Sequence, residues 1–216
     1  MKPTPTDPRA LRTRHLLREA LMQIVVDKPF RDLTIRDITK QAGVNRATFY
    51  LHYDDKYDLL EDCAIQLFSK IREAVESEFG LTPDLFAPEP FIEHGNRMCI
   101  VLQHIQHHSG FYKAMFAKDG DPLFYNMFRD NASIWIRSQL KDMLTSQNMA
   151  FDEELIEMMM RFQSAGNFAV INWWLENDMR IPIEVMSKRM AMITMPPMIR
   201  FLQGDTTDLF DEGIGS

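Results

Sequence analysis

Side chains able to form hydrogen bonds are concentrated in one stretch near the N-terminus, AGVNRATFYLHYDDK, residues 42–56. Arginine can bridge to phosphate or guanine, and tyrosine and histidine can hydrogen-bond to backbone oxygens or base edges. The small side chains of Asn45, Ala47 and Thr48 would allow close approach to a duplex. These residue types indicate nucleic-acid recognition, and we find no nucleophile–base pairing or phosphate loop that would indicate an enzyme.

Two short helices separated by a turn are predicted to position these residues. Thr34 can cap a first helix, with Asp37 three residues later in the capping-box position. Gly43 suits the left-handed turn that would end this helix after Ala42. Asn45 can then cap a helix of about eight residues. A helix, a glycine turn and a second short helix form a helix-turn-helix unit, whose second helix fits the major groove of DNA.

The apolar positions of this region predict a small three-helix core. The spacing from Arg9 onwards indicates a preceding amphipathic helix, ended by Lys28-Pro29. Asp54 is expected to cap a long helix that follows. The predicted core comprises Leu17, Leu21, Ile24, Ile35, Ile38, Ala42, Val44, Phe49, Leu51 and Tyr53.

Charge is divided unevenly along the chain. The 216 residues carry a net charge of −7, yet residues 1–53 contain ten basic and five acidic residues, against fourteen basic and twenty-six acidic in the remainder. A basic head on an acidic body hints at a polyanionic partner. Two distant cysteines and the lack of a long apolar run predict a cytoplasmic protein that does not enter a membrane.

The remaining chain also has helical periodicity, so the sequence predicts an all-α fold. Helices are expected at roughly 90–108, 109–118, 121–147, 152–177 and 182–203, after a proline-containing linker near residue 80.

The stretch LTIRDITKQAGVNRATFYLHYDDKYDLL, from Leu33 to Leu60, resembles the DNA-binding domain of the TetR family of bacterial transcriptional regulators. Thr39, Asn45 and Tyr53 replace the family's usual alanine, serine and phenylalanine. The resemblance implies a DNA-binding domain in residues 1–55, a connecting helix in 56–79, and a ligand-binding and dimerisation domain in 80–216.

The resemblance also implies a homodimer that binds a palindromic operator. Thr34, Tyr50 and Lys56 would contact phosphates, whereas Arg46, Ala47 and His52 would read the sequence. Asn45 and Thr48 complete the expected DNA-contacting set.

For the body we expect a pocket for a small apolar or amphipathic effector, because methionines and aromatic rings cluster there. The same residues equally suit a helical core. The candidate lining residues are Met98, His104, Phe111, Met115, Phe116, Phe128, Trp135 and Phe162.

The segment RFQSAGNFAVINWWLENDMRIP, residues 161–182, combines a small-residue face with large apolar side chains. It is similar to the C-terminal domain of dihydroxyacetone-operon regulators within the TetR family. That similarity implies a dimer interface formed by Ala165, Gly166, Ala169, Val170, Trp173 and Trp174.

Two alternatives stay open. In the first alternative, the regulator is controlled by a protein partner instead of a small ligand. Under the second, His104, His107 and His108 would hold a metal ion, since the first and last lie one helical turn apart. A solvated or pocket-lining histidine cluster is the simpler interpretation, and no cofactor or metal is expected.

Overall fold

The computed structural model describes residues 7–80, 90–117, 120–146 and 152–202. The described residues form nine α-helices and one turn of 3-10 helix, Phe30–Asp32, without a strand, so the all-α prediction is confirmed. The helices are α1 Pro8–Ile24, α2 Ile35–Ala42, α3 Arg46–His52, α4 Lys56–Phe79, α5 Pro90–His107, α6 Ser109–Phe116, α7 Pro122–Ser146, α8 Glu153–Glu176 and α9 Ile183–Leu202.

Helices α1, α2 and α3, which we call the head, pack apolar side chains against one another. Leu17 and Leu21 of α1 meet Ile38 of α2 and Phe49 of α3, and all four are fully buried. Each such side chain contributes about 1.5–3 kcal/mol on burial. Helix α1 ends at Ile24, earlier than predicted, because the chain leaves it through a hydrogen-bonded turn before Pro29.

Helix α4 begins at Lys56, and its N-cap is Asp55, not Asp54 as predicted. An Asp55 carboxylate oxygen accepts the backbone N–H groups of Tyr57 and Asp58 at 2.8 and 3.0 Å. Asp54 instead donates its own backbone N–H to the Asp58 carboxylate at 3.0 Å, one residue ahead of the cap. The 24 residues of α4 run from the head into the body, where the helix packs against α5 and α7.

The body is built on a cluster of aromatic rings contributed by α4, α6, α7 and α8. Phe116 lies at its centre, with ring centroids 5.8–6.0 Å from those of Phe124, Phe128 and Phe168. A second, smaller core of Leu140, Met143, Leu144, Ile156, Met160 and Ala191 joins α7, α8 and α9. None of the described helices is long and apolar enough to cross a membrane.

Candidate functional site

The turn between α2 and α3 is fixed by the residues that the sequence indicated. Gly43 adopts φ of +68°, a left-handed conformation that favours glycine. The Asn45 side-chain oxygen accepts the backbone N–H and the hydroxyl of Thr48, at 2.7 and 2.9 Å, and so caps α3. A helix of only seven residues is thereby held in one orientation.

Helix α3 turns one side into the head and the other outward. Phe49 is buried and makes edge contact with the Tyr50 ring, 5.6 Å between centroids. Arg46, Ala47 and Tyr50 are exposed, and an Arg46 guanidinium nitrogen donates to the Tyr50 hydroxyl at 3.3 Å. The outward side therefore carries a cation, a phenol and a small residue, as an element entering a DNA groove requires.

The C-terminal turn of α3 differs from expectation at one position. Leu51 was predicted to lie in the core, but 45% of its surface is exposed, because Phe49 and Tyr53 already fill the core side of this short helix. It adds an apolar group to the outer surface. His52 is partly buried, and burial together with the nearby Arg14 charge lowers its pKa.

Lys56 lies in a different environment from the one expected of a phosphate contact. Its ammonium group donates to the backbone carbonyls of Phe30, Arg31 and Leu33 at 2.9, 2.9 and 3.0 Å. An ammonium group has three N–H donors, so these bonds use all of them. Lys56 therefore closes the C-terminal end of the 3-10 helix onto α4.

Thr34 is exposed at the start of α2, where it forms the predicted capping box with Asp37. Its hydroxyl oxygen accepts the Asp37 backbone N–H at 3.2 Å, and the Asp37 carboxylate accepts the Thr34 backbone N–H at 3.0 Å. Lys28 donates to the same carboxylate at 2.8 Å. The hydrogen bonds from Lys28 and Thr34 hold the pKa of Asp37 well below its usual range.

A buried ionic network ties the head to α4. Asp62 of α4 accepts hydrogen bonds from the Tyr53 hydroxyl at 2.5 Å and from Arg18 at 2.7 Å, and it pairs with Arg14 at 2.9 Å. Burial raises the pKa of Asp62, but the Tyr53 and Arg18 hydrogen bonds outweigh this effect and lower it. Asp62 is thus a carboxylate that joins α1, the end of α3 and α4.

Two exposed cations on α2, Arg36 and Lys40, were absent from the predicted DNA-contacting set. They lie one helical turn apart, on the side of α2 away from the buried Ile38 and Thr39. The basic excess of residues 1–53 was the signal that could have pointed to them.

In the body, a cavity of about 130 Å³ lies among α4, α5, α7, α8 and α9. We call it the body cavity. Met98 and Trp135, two of the predicted ligand-binding residues, line it. Its apolar walls also include Val75, and its polar groups include His94 and Gln139. The Trp135 indole N–H donates to the Glu76 carboxylate of α4 at 3.0 Å, which connects a cavity wall to the helix that carries the head.

The other predicted ligand-binding residues do not meet in this cavity. Four of them are buried among neighbouring aromatic rings: Phe111, Met115, Phe116 and Phe128. Burial against other rings stabilises such large apolar side chains more than exposure in an open pocket would. These four are therefore core residues. Phe162 is 80% exposed on the outer side of α8.

His104 also lies outside the cavity lining. Its ring is 4.8 Å from that of His108 and 6.1 Å from that of Tyr112, centroid to centroid. Burial, with the His108, Lys70 and His107 charges, lowers the pKa of His104 to about 4. Among the described residues, no group of three or more histidine, cysteine or acidic side chains is arranged to hold a metal ion.

The predicted interface residues of α8 divide between two sides of the helix. Ala165, Gly166, Ala169 and Trp173 are exposed, and Val170 is partly buried. Trp174 is buried instead, since its indole N–H donates to the Ile181 carbonyl at 2.9 Å and its ring joins the main core. A shallow apolar groove of about 150 Å³, which we call the α8–α9 groove, lies beside Gly166, Val170 and Ile193.

Sequence reasoning missed a second opening, which we call the arginine cleft. It measures about 440 Å³ and lies between α7 and α8. Arg129, Arg137 and Arg161 line it, together with Asp130 and Glu157. Arg129 and Arg137 lie eight residues apart on α7, and the packing of α7 on α8 brings Arg161 close to them.

Two models, one for an N-terminal and one for a C-terminal region, match this chain. The model described as bacterial regulatory proteins, tetR family, matches residues 17–63, and that described as transcriptional regulator C-terminal region of the TetR type matches residues 97–195. The chain belongs to the TetR family of transcriptional regulators. Both models describe regions of transcriptional regulators.

A relative from Bacillus subtilis (strain 168), named uncharacterized HTH-type transcriptional regulator YxbF, is 41% identical over 56 residues. The match covers 26% of this chain and 15% of that protein's length.

Solved structures share the fold at low sequence identity. The dihydroxyacetone kinase operon activator DhaS superposes with a TM-score of 0.61 and 14% identity, over 88% of this chain and 97% of that one. The repressor FadR from Thermus thermophilus, in complex with lauroyl-CoA, gives a TM-score of 0.59 and 20% identity, over 86% and 94% of the two chains. At these identities the likeness shows the fold alone.

Proposed function

We propose that this regulator is a homodimeric repressor that binds a palindromic operator and leaves it when a small molecule occupies the body cavity. The observation that carries the proposal is the outward side of α3, where Arg46, Ala47 and Tyr50 are exposed while Phe49 anchors the helix from behind. An anchored short helix with an exposed polar side suits insertion into a major groove.

The DNA contacts follow from chemistry and exposure. Arg46, Ala47 and His52 are proposed to read base edges, and Thr34, Asn45, Thr48 and Tyr50 to contact phosphate. The residues of that second group have polar side chains that are exposed or partly exposed on the head. Lys56 is proposed to act indirectly, because its three bonds to carbonyls hold the chain that leads into Thr34.

The homodimer is proposed to form through α8 and α9. Phe162 and Trp173 expose large apolar surfaces on α8, and Ile193 does so on α9, beside the small residue Gly166. A patch of this kind on a soluble protein marks an interface, and a two-fold axis would bring the same patch of each copy together. Two heads about 34–36 Å apart would then meet successive major grooves.

Control by a small molecule is supported by the connection between the body cavity and α4. Val75 of α4 lines the cavity, and Glu76 beside it bonds to Trp135 of the opposite wall. An occupant that separates these walls changes the position of α4 and, with it, of the head. The Thermus thermophilus FadR of similar fold binds lauroyl-CoA, a small-molecule ligand. A coupling of about 1–3 kcal/mol is sufficient for such a switch.

The test is selection of genomic DNA fragments by the purified chain, followed by anisotropy titrations with a selected duplex. Arg46→Ala should weaken binding, while Arg180→Ala, an exposed arginine of the body, should not change it. Sedimentation should give a mass of about twice 25.3 kDa. A monomer that selects no fragment at low salt would contradict the proposal.

Control by a protein partner is the alternative, and the same DNA complex separates the two. Dissociation by a metabolite extract passed through a small-pore filter supports the small-molecule proposal. Dissociation only by the retained macromolecular fraction contradicts it.

A further inference from the structure

The body cavity and the arginine cleft are neighbouring pockets that share part of their lining. Ser133 of α7 and Met160 and Ser164 of α8 line both of them. A ligand that occupies both pockets would lie against these three residues, with one end in the apolar cavity and the other in the cleft. This inference rests on the proposed effector function, and it concerns the chemical class of the effector.

The lining of the cleft carries a net positive charge, whereas the surrounding part of the chain is acidic. The chain beyond residue 53 is strongly acidic, yet three guanidinium groups face two carboxylates in the cleft. Glu157 alone pairs with both Arg137 and Arg161, so a single carboxylate is shared between two cations. Because each guanidinium has five N–H donors, this sharing leaves capacity for a second anion. The Arg137 Nε atom is buried without a hydrogen-bond partner.

Gln139 supplies a second, independent observation at the cavity. It lines the cavity, only 8% of its surface is exposed, and its side-chain nitrogen has no hydrogen-bond partner. An unsatisfied buried donor is costly, so a bound acceptor would stabilise this site.

The size of the cavity limits the apolar part of the ligand. Its volume of about 130 Å³ is close to the roughly 150 Å³ of an engineered protein cavity that holds one benzene molecule. A twelve-carbon chain has twice as many carbon atoms as benzene, so it needs more space than this cavity has. A single ring or a six-carbon group therefore fits, and a long acyl chain does not fit without rearrangement.

We infer that the effector is a compact anionic amphipath: a group the size of one aromatic ring, with a phosphate or carboxylate at one end and a hydrogen-bond acceptor at the other. The anion binds in the arginine cleft and the ring in the body cavity. Gln139 donates to the distal acceptor.

Calorimetry with the full chain, in the absence of DNA, tests this inference. The probes are 4-nitrophenyl phosphate, phenyl phosphate, 4-nitrophenol and inorganic phosphate, which carry the three features in different combinations. We expect 4-nitrophenyl phosphate to bind at least about tenfold more tightly than any of the other probes. Each of those lacks at least one of the three features, and the loss of one charge-assisted or one buried neutral hydrogen bond is sufficient for a tenfold difference.

Two variants assign the features to residues. Arg161→Gln should weaken both phosphate esters about tenfold and leave 4-nitrophenol unaffected. Arg161 is 78% exposed, so the substitution leaves the fold intact, and Arg180→Gln is its matched control. Gln139→Leu should abolish the preference for 4-nitrophenyl phosphate over phenyl phosphate while phenyl phosphate still binds.

The outcomes separate this inference from the proposed function. No binding of 4-nitrophenyl phosphate, or equal binding of all four probes, overturns the inference, and operator binding is unaffected by that result. Binding with the expected pattern supports it. If the bound ester then fails to release the operator, the site stands and the effector function is contradicted.

Discussion

The head, taken together with the start of α4, and the body differ in how completely their polar side chains are hydrogen-bonded. In the head, the donors of Lys56 each meet a carbonyl, and Asp62 accepts from Tyr53, Arg14 and Arg18. Among the described residues, four buried side-chain atoms lack a hydrogen-bond partner, and all four lie in the body. They belong to His104, Tyr112, Arg137 and Gln139.

This difference indicates how each region works. A head whose polar groups bond to one another presents a preformed surface, and DNA binding then requires little rearrangement. An unpartnered buried group costs about 1–3 kcal/mol, so the body gains free energy when a ligand or water supplies a partner. We therefore expect the head to bind DNA with little rearrangement and the body to be stabilised by a bound ligand.

The largest expected effect comes from breaking the head's ionic network. Asp62→Ala leaves Arg14 and Arg18 without their carboxylate, and we expect the free energy of unfolding to fall by about 3 kcal/mol, the low end for a buried ion pair, because both arginines keep some contact with water. Urea unfolding measures this loss. Glu61→Ala, at the exposed neighbouring position, should change it by less than about 0.5 kcal/mol. Equal effects of the two substitutions would show that the network contributes little.

A charge on the exposed side of α8 should separate the two copies. Phe162→Glu places a carboxylate in the proposed apolar interface, and we expect the dimer dissociation constant to rise about a hundredfold, which is about 2.7 kcal/mol. Sedimentation over a concentration series measures it. Phe162→Leu retains the apolar contact and should stay dimeric. A Phe162→Glu protein that remains a dimer would place the interface elsewhere.

Lys56 tests whether the head's internal bonds are structural. Lys56→Met removes the three N–H donors of the ammonium group and keeps an aliphatic side chain of similar length. We expect the free energy of unfolding to fall by about 2 kcal/mol, which is in the range for hydrogen bonds to a charged group. The slope of log affinity against log salt should not change. Arg46→Ala should instead reduce that slope by about one if the side chain also meets a phosphate. A smaller salt slope for Lys56→Met would show that Lys56 contacts a phosphate after all.

The smallest expected effect concerns pH and the body cavity. Burial, with the Arg97 charge, lowers the pKa of His94 to about 4, from about 6.5 in the unfolded chain. Between these pH values the unfolded state binds a proton at His94 and the folded state does not. The contribution of His94 to the free energy of unfolding is therefore fully present above pH 6.5 and is lost as the pH falls from 6.5 to 4. His94→Gln should reduce the loss between pH 7 and 5 by about 1–2 kcal/mol. Identical pH profiles for His94→Gln and the unsubstituted protein would contradict this assignment.

Local signals were sufficient to predict the head's framework. The Thr34 capping box, the Gly43 turn and the Asn45 cap each depend on residues within three or four positions, and each occurs as predicted. Lys56 shows the limit of such reasoning. Its partners lie 23 to 26 residues earlier in the chain, and nothing in the local pattern distinguishes a lysine that binds carbonyls from one that faces solvent.

The body's helices were predicted because periodicity is also local, but its sites depend on which faces meet. Phe116 and Trp135 are both large aromatic residues on helices of the body, yet one lies in the aromatic core and the other lines the body cavity. The arginine cleft needs α7 to pack on α8 with Arg129 and Arg161 facing each other. Pattern alone leaves that arrangement undetermined.

The continuity of α4 has a mechanical consequence. Val75 at the cavity and Asp62 in the head network are thirteen residues apart on one uninterrupted helix, a separation of about 20 Å. Since the helix behaves as a stiff lever, a sideways displacement of about 1 Å at its cavity end amounts to a tilt of about 3° over that length. Asp62 joins α1 and the end of α3 to α4. The head would therefore rotate with α4 as a rigid body, and no helical turn would have to unfold.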